Sequence, residues 1–258
     1  DRNLSEFRDM IRNSETTYVG LATDGDADRI GLYDEHGEFV DSHNILLLLL
    51  YYLAEEKGMT GKVVITFSVT EKMKKLAEML GFDYEVTKIG FKYIAEIMID
   101  EDVLVGGEES GGLAVKGFIP ERDGIWIGLT IMEFMAKSGK KLYELVEMIH
   151  DKVGKFKFKR DDLHLSNEKK DSVMEKCKEG GINQIGDLKV RTIEDIDGYK
   201  FFFEKEGEWV MIRPSGTEPK VKFYISTNAK LDKAEDYNKV NSELNAKIQT
   251  ILSELELS

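Results

Sequence analysis

Near its start the chain reads Tyr18-Val19-Gly20-Leu21-Ala22-Thr23-Asp24-Gly25-Asp26-Ala27-Asp28-Arg29-Ile30-Gly31-Leu32-Tyr33. Three carboxylates stand at alternate positions, and an arginine follows at once. Like charges so close repel one another, and solvation alone is a poor reason to collect them. A hard divalent cation is a good one, because Mg2+ and Ca2+ take carboxylate oxygens as ligands. Arg29 adds a guanidinium, the usual fork for phosphate or carboxylate. Asp24, Asp26 and Asp28 are therefore candidate metal ligands with an anion close by. A solvated acidic loop is the bland reading of the same residues.

The flanks separate two folds. An EF-hand calcium loop carries acidic residues at its first, third and fifth positions and Glu at its twelfth. Counted from Asp24, those are Asp24, Asp26, Asp28 and Glu35. The match fails on mechanics, since the sixth position needs Gly for a sharp turn and here holds Arg29. Tyr18 to Ala22 and Ile30 to Tyr33 read as short strands rather than helices, with Asp34-Glu35-His36-Gly37 as the turn after the second. Strand, acidic loop, strand places a metal site at the rim of a sheet.

At 258 residues the chain has room for about two domains with real cores. Its net charge of −13 argues against a general nucleic-acid or anionic-membrane surface, so an anionic ligand must be held by local basic groups. The longest apolar run, Ile45 to Leu53, falls well short of the roughly 20 residues of a membrane span and reads as a buried helix. A single cysteine, Cys177, excludes an internal disulfide and fits a reducing, cytoplasmic setting. The chain opens at Asp1 without a Met, so a missing leader carries little weight.

Beyond the apolar helix, expected over 42–57, helices and strands alternate. Lys62 to Phe67 is a buried-type strand, and Ser68 with Glu71 forms a capping box for a helix ending at Gly81. Tyr84 to Thr87 is a strand, Phe91 to Met98 a helix, Val103 to Val105 a strand, and two helices follow near 123–137 and 141–150. Such alternation predicts an α/β domain with a mixed sheet and helices packed on it. After His150 the texture changes to a basic strand-like run, Lys155 to Arg160, a polar helix over 167–178 and several strands. A last helix near 232–255 carries the stripe Tyr237, Val240, Leu244, Ile248 and Ile251. This half predicts an α+β domain with an antiparallel sheet, and the boundary is placed near 153.

Two loops carry further chemistry. Gly106-Gly107-Glu108-Glu109-Ser110-Gly111-Gly112 follows a strand; its glycine pairs free the backbone to approach a ligand, and its carboxylates and hydroxyl suit sugar hydroxyls. A flexible acidic turn is the alternative. Arg213-Pro214-Ser215-Gly216-Thr217-Glu218-Pro219 joins two strands and combines a guanidinium, two hydroxyls and a loosened turn, an anion nest with a charged clamp. Lys220 and Lys222 add positive charge, and the prolines stiffen the loop. Lys88-Ile89-Gly90-Phe91-Lys92 puts Lys92 at a helix N-terminus, where a solvated lysine is an equal reading. Arg122-Asp123, opening the next helix, is read either way too. None of the four histidines falls in these loops, which removes support for a Zn site or a Cys–His nucleophile. Each His is expected to be solvated or capping, and Trp126 to lie in the core.

The three loops, in this order and spacing, resemble the α-D-phosphohexomutase family, which includes phosphoglucomutase and phosphomannomutase. The resemblance implies four domains around a cleft and a phosphoserine in the first. That serine exchanges its phosphoryl group with a hexose monophosphate by way of a bisphosphate. By resemblance, Asp24, Asp26 and Asp28 hold Mg2+, Arg29 lies beside the phosphoserine, and Lys92 approaches the substrate. Glu108 and Ser110 grip sugar hydroxyls, Arg122 is a further substrate contact, and Arg213, Ser215, Gly216 and Thr217 clamp the non-reacting phosphate. No Ser-His-Asn nucleophile loop precedes residue 24, and Ser42-His43-Asn44 comes after the metal loop, out of the family's order. The chain is thus expected to be the C-terminal part of a mutase, partnered by N-terminal domains and a hexose phosphate. Residues 1–40 would be the tail of the second domain, 41–153 the third and 154–258 the fourth. Gly112 stands where many members have His, and the Glu-Glu-Ser form leans towards glucose-type members. The rival reading is a non-catalytic phosphosugar- or metal-binding module, which has little reason to keep three Asp.

Overall fold

Alternating apolar residues on both sides of the acidic loop settle into strands. In the computed structural model, which describes residues 4–16, 18–216, 218–229 and 234–254, a helix α1 (Ser5–Arg12) leads into β1 (Val19–Thr23). That strand pairs antiparallel with β2 (Ile30–Asp34), from Val19 opposite Asp34 to Thr23 opposite Ile30. A short β3 (Phe39–Val40) adds to the far side of β2. The acidic loop joins two strands, and the EF-hand alternative falls.

The leucine run becomes the helix α2 (Ser42–Tyr51), in which Ile45 to Leu50 are fully buried. Apolar all round, it can only be a central helix. Asp41 caps it by accepting the Asn44 N–H. The expected single helix over 42–57 instead ends in one π turn, Tyr52–Glu56, where the Lys57 N–H reaches back to the Tyr52 carbonyl.

Next come β4 (Lys62–Thr66), α3 (Lys72–Leu80), β5 (Tyr84–Thr87), α4 (Phe91–Asp100), β6 (Val103–Gly107), β7 (Leu113–Val115), α5 (Gly124–Ser138) and α6 (Leu142–Val153). The sheet order is β5-β4-β6-β7, with β7 the one antiparallel strand. Gly106 and Gly107 belong to β6 and are buried, contrary to the expectation that they loosen a binding loop. A Cβ on Gly106 would meet Ile94 of α4 at 2.5 Å, and one on Gly107 would meet Leu46 of α2 at 2.5 Å. Neighbouring strand residues face opposite ways, so α4 and α2 cover opposite faces and the domain has three layers.

The Ser68–Glu71 capping box is not formed. α3 starts at Lys72, whose N–H is accepted by the Thr70 hydroxyl at 3.3 Å, while Ser68 lies buried in the preceding turn. Two histidines also depart from expectation. His43 is buried and its Nδ1 accepts the Thr70 N–H, and buried His150 meets Asn44 Oδ1 at 2.8 Å.

The molecule divides into two compact units, Asp1–Gly154 and Lys155–Ser258. The second contains β8 (Phe156–His164), α7 (Asn167–Glu179), β9 (Gln184–Ile185), β10 (Leu188–Glu194), β11 (Tyr199–Phe203), β12 (Trp209–Pro214), β13 (Lys220–Asn228) and α8 (Ala234–Glu254). Its sheet is antiparallel throughout, in the order β8-β13-β12-β11-β10-β9. Phe201, Phe203, Val210, Ile212, Val221, Phe223 and Ile225 alternate along three strands and form one buried face. Val173 and Cys177 of α7 and Val240, Leu244 and Ile251 of α8 pack on it. Burial pushes the Cys177 thiol up to about 12, which leaves it an inert core residue. The side chains of Tyr237 and Ile248, expected in the same stripe, lie outside the described residues. Among the described residues no helix is long and apolar enough to cross a membrane.

Candidate functional site

Asp24, Asp26 and Asp28 converge. Each offers a carboxylate oxygen, and these oxygens lie within 4.8 Å of one another. Backbone geometry does the gathering: the Ala27 N–H bonds the Asp24 carbonyl at 3.2 Å, and Ala27 itself is the one non-glycine described with positive φ, +59°. Its carbonyl then accepts the Gly124 N–H at 2.9 Å, so the first residue of α5 pins the loop. The Arg29 N–H bonds Asp24 Oδ1 at 3.2 Å, and its Nε stands 3.6 Å from Asp24 and 3.7 Å from Asp28.

Asp28 carries the informative atom. Its Oδ2 is 2.6 Å from Arg122 Nη2, while its buried Oδ1 has no hydrogen-bond partner among the described residues and only the 3.7 Å approach of Arg29 Nε. Burial pushes the Asp28 carboxyl up, Arg122 draws it down, and Asp26 and Asp24 push it up again. A buried carboxylate oxygen without a hydrogen bond, beside two other carboxylates, is what a hard cation satisfies. The residues fit Mg2+.

The second loop is stitched to the first. The Ile30 N–H bonds the Gly111 carbonyl at 3.1 Å, and Arg29 forms an antiparallel bridge with Gly112. Gly111 has φ +97°, and a Cβ there would lie 2.8 Å from the Ile30 carbonyl, so only glycine makes this join. At Gly112 a Cβ would strike Arg122 Cδ at 2.4 Å; the missing side chain is the space Arg122 occupies. The guanidinium of Arg122 lies 5.5 Å from the Phe91 ring and bridges Asp28 to Glu108, with Nη1 4.0 Å from Glu108 Oε2. Arg122, equivocal in the sequence, is central here. Glu108 is buried; desolvation raises its pKa, against the pull of Arg122 and of the Gly90 N–H at the head of α4. Ser110 is exposed at the loop tip. Lys92 is exposed too, its Nζ 4.8 Å from the Tyr93 ring, and no described contact joins it to Glu108 or Arg122. Trp126, expected in the core, is 39% exposed and stacks on Phe118 at 4.5 Å.

In the second unit, Arg213, next to last in β12, lies opposite Lys222 of β13. The Ser215 N–H bonds the Lys220 carbonyl at 2.9 Å, and the buried Ser215 hydroxyl accepts the Glu218 N–H at 3.3 Å, so the loop holds its own shape. Gly216 is exposed, and Thr217 lies outside the described residues. The lysines differ from expectation. Lys220 is taken up by Glu218 at 2.6 Å and Asp162 at 3.1 Å, and adds little free charge. Lys222 is pushed down by burial and by Arg160 and Arg213, the mark of a positive locale. Sequence reasoning missed Asp197, which accepts the Arg213 Nε–H at 3.0 Å. Its signal was the Asp197-Gly198 turn dipeptide between strands.

The family profile "Phosphoglucomutase/phosphomannomutase, alpha/beta/alpha domain III" matches residues 41–152, and the profile of that family's C-terminal domain matches residues 165–245. A phosphoglucomutase/phosphomannomutase of Thermococcus kodakarensis is 30% identical over 95% of this chain and 50% of its own length. A phosphoglucosamine mutase of Methanocaldococcus jannaschii is 32% identical over 91% and 51%. A crystal structure of a candidate phosphomannomutase from Thermus thermophilus, 30% identical, superposes with a TM-score of 0.74 over 93% of this chain and 50% of that one. The chain thus spans about half the length of the curated relatives it matches. Two profiles of one family in sequence order, on this mixed α/β domain and this antiparallel α+β domain, establish that the chain belongs to the phosphoglucomutase/phosphomannomutase, or α-D-phosphohexomutase, family.

Proposed function

We propose that the chain is the sugar- and phosphate-binding part of a phosphohexomutase. The enzyme would move a phosphoryl group between the 1- and 6-positions of a hexose phosphate through a phosphoserine and a bisphosphate. The observation that carries this reading is the buried Asp28 Oδ1, without a hydrogen bond within three converging carboxylates, in a loop tied to Glu108 by Arg122 and by the Gly111–Ile30 bond. A module that merely bound sugar phosphate would have no use for such a loop. Residues 1–40 are read as the tail of the second domain, 41–153 as the third and 154–258 as the fourth.

Asp24, Asp26 and Asp28 would hold Mg2+, which when bound neutralises charge on phosphoryl oxygens. Arg29 balances and orients the phosphoserine, and Lys92 reaches the substrate from the head of α4. Glu108 accepts from a sugar hydroxyl and Ser110 donates to one. Arg122, with its guanidinium on Glu108 and Asp28, sets the sugar-binding carboxylate and contacts the substrate. Arg213, Ser215, Gly216 and Thr217 hold a phosphate. Phosphoryl transfer asks mainly for such positioning and charge balance. The nucleophile is assigned outside these residues. Ser42 is buried at the start of α2 and its hydroxyl donates to the Glu109 carbonyl, which leaves it unsuited to the role.

Purified chain incubated with Mg2+, an activating bisphosphate and the 1-phosphates of glucose, mannose or glucosamine is expected to show background turnover only. The same sugar phosphates should perturb backbone NMR signals of residues 108–112 and 213–216. Robust turnover by these residues alone overturns the assignment of the nucleophile. Silence at both loops overturns the mutase reading.

A further inference from the structure

Arg213 is held from the side. Asp197 accepts its Nε–H at 3.0 Å across 16 residues of sequence, and the two side chains are only 22% and 23% exposed. The turn that carries Asp197 is pressed into place. Gly198 has φ +94°, and a Cβ there would come within 2.6 Å of the Ile212 carbonyl and 3.0 Å of Arg213 Cβ. The Tyr224 hydroxyl on the neighbouring strand interacts with the same guanidinium; burial works against the Arg213 charge, and Asp197 and Tyr224 outweigh it.

A carboxylate beside an anion-binding arginine repels the anion, so charge alone argues against its presence. Orientation argues for it. A long arginine side chain loses much rotamer freedom when it binds, unless that freedom is already gone. The guanidinium offers five donors in one rigid plane, and a side-on carboxylate fixes that plane while occupying a minority of them.

We propose that Asp197 is a positioning residue of the phosphate site: by accepting the Nε–H of Arg213 it sets the plane of the guanidinium, so that the remaining donors meet a phosphate already aligned. The inference rests on the reading of residues 213–217 as a phosphate clamp, and its test separates the two.

Inorganic phosphate is titrated into the full chain at fixed ionic strength, with NMR following the Arg213 Nε–H and the backbone signals of residues 213–216. Arg213→Ala is expected to abolish the saturable response; a response that survives sinks the clamp itself. Asp197→Ala should weaken phosphate binding about five-fold although it removes a negative charge, and the Arg213 Nε–H should then exchange rapidly. Asp197→Asn keeps an oxygen acceptor in the same place and should stay within about two-fold of wild type with its Nε–H signal retained. If Asp197→Ala does not fold, Asp197→Ser replaces it, because serine suits a turn but is too short to span to Nε. Binding that is unchanged or tighter without Asp197 overturns the proposal. Asp197→Asn as weak as Asp197→Ala also overturns it, since charge rather than alignment would then be at work.

Discussion

In the first unit three carboxylates gather within five residues beside two guanidiniums, Arg29 and Arg122, and keep one buried oxygen without a hydrogen bond; in the second, Arg213 holds Asp197 while Arg160 and Lys220 share Asp162. The contrast follows from side-chain length. Asp is short, so a turn such as Asp24 to Ala27 fixes its oxygens by backbone alone, and charge can be left unsatisfied for a cation. Arg and Lys are long, and nothing in a turn fixes their ends. A basic site therefore needs acidic partners to orient it, and it gives up some positive potential to them. Lys222, depressed by burial and by Arg160 and Arg213, shows that potential remains.

The glycines sharpen this comparison most. Gly111 joins the acidic loop to the Glu108–Gly112 loop by a bond that its φ of +97° makes and any Cβ would block, 2.8 Å from the Ile30 carbonyl. Gly111→Ala should cost the first unit about 3 kcal/mol, a left-handed penalty plus a backbone clash, read by urea unfolding with a first-unit probe. A Cβ on Gly216 would meet nothing within 4 Å, so Gly216→Ala should stay within about 0.5 kcal/mol. Equal costs would break the contrast between a built junction and an open loop.

Ligand binding tests the two charge strategies next. If Arg213 clamps phosphate as proposed, Arg213→Ala should cost phosphate binding about 1.5–3 kcal/mol, with Arg213→Lys losing much of it because a point charge cannot reproduce a fork. Asp28→Asn should weaken Mg2+ binding about ten-fold, or about 1.4 kcal/mol, by calorimetry. Tight Ca2+ binding with marked preference over Mg2+ would point instead to an EF-hand-like loop chemistry on a strand scaffold.

How much of this was legible in the sequence depends on distance along the chain. The acidic loop was readable because its three carboxylates sit at alternate positions in one short stretch, and the short strands read on either side of it exclude an EF-hand. The mixed and antiparallel sheets could be read for the same reason, since local periodicity reports which faces are buried. Partners set by tertiary contact were invisible. Asp197 lies 16 residues before Arg213, and Arg122 far downstream of Asp28 and close to Glu108 only in space. Gly106 and Gly107 read as loop glycines, yet they are strand residues emptied to admit Ile94 and Leu46. Ser68 and Glu71 have capping-box spacing, yet Ser68 lies buried in the preceding turn and no side chain caps α3. Spacing alone cannot tell a cap from a turn.

The smallest expected effect concerns Glu108, the one carboxylate in the acidic site that is almost wholly buried, 6% exposed. Burial raises its pKa above the usual 4.5, with Arg122 and the Gly90 N–H offsetting part of that rise. A carboxyl whose folded pKa is raised binds its proton more tightly in the folded state. The stability this provides is complete below the unfolded value and is lost as pH rises through the folded one. At neutral pH the ionised Glu108 is therefore a burden on the fold, and Glu108→Gln should stabilise the first unit by about 1 kcal/mol or less. Gln keeps an oxygen for the Gly90 N–H, and Arg122 keeps Asp28. The gain should shrink as pH falls and vanish below about 4.5, where wild type carries a neutral carboxylic acid in the same place. Thermal unfolding of both proteins across pH 4 to 8 reads the difference. A Gln variant that is less stable at pH 7 would mean that the 4.0 Å pairing with Arg122 outweighs desolvation. Glu108 would then belong, with Arg213 and Asp197, among the charges this protein holds by a partner rather than leaves exposed to a ligand.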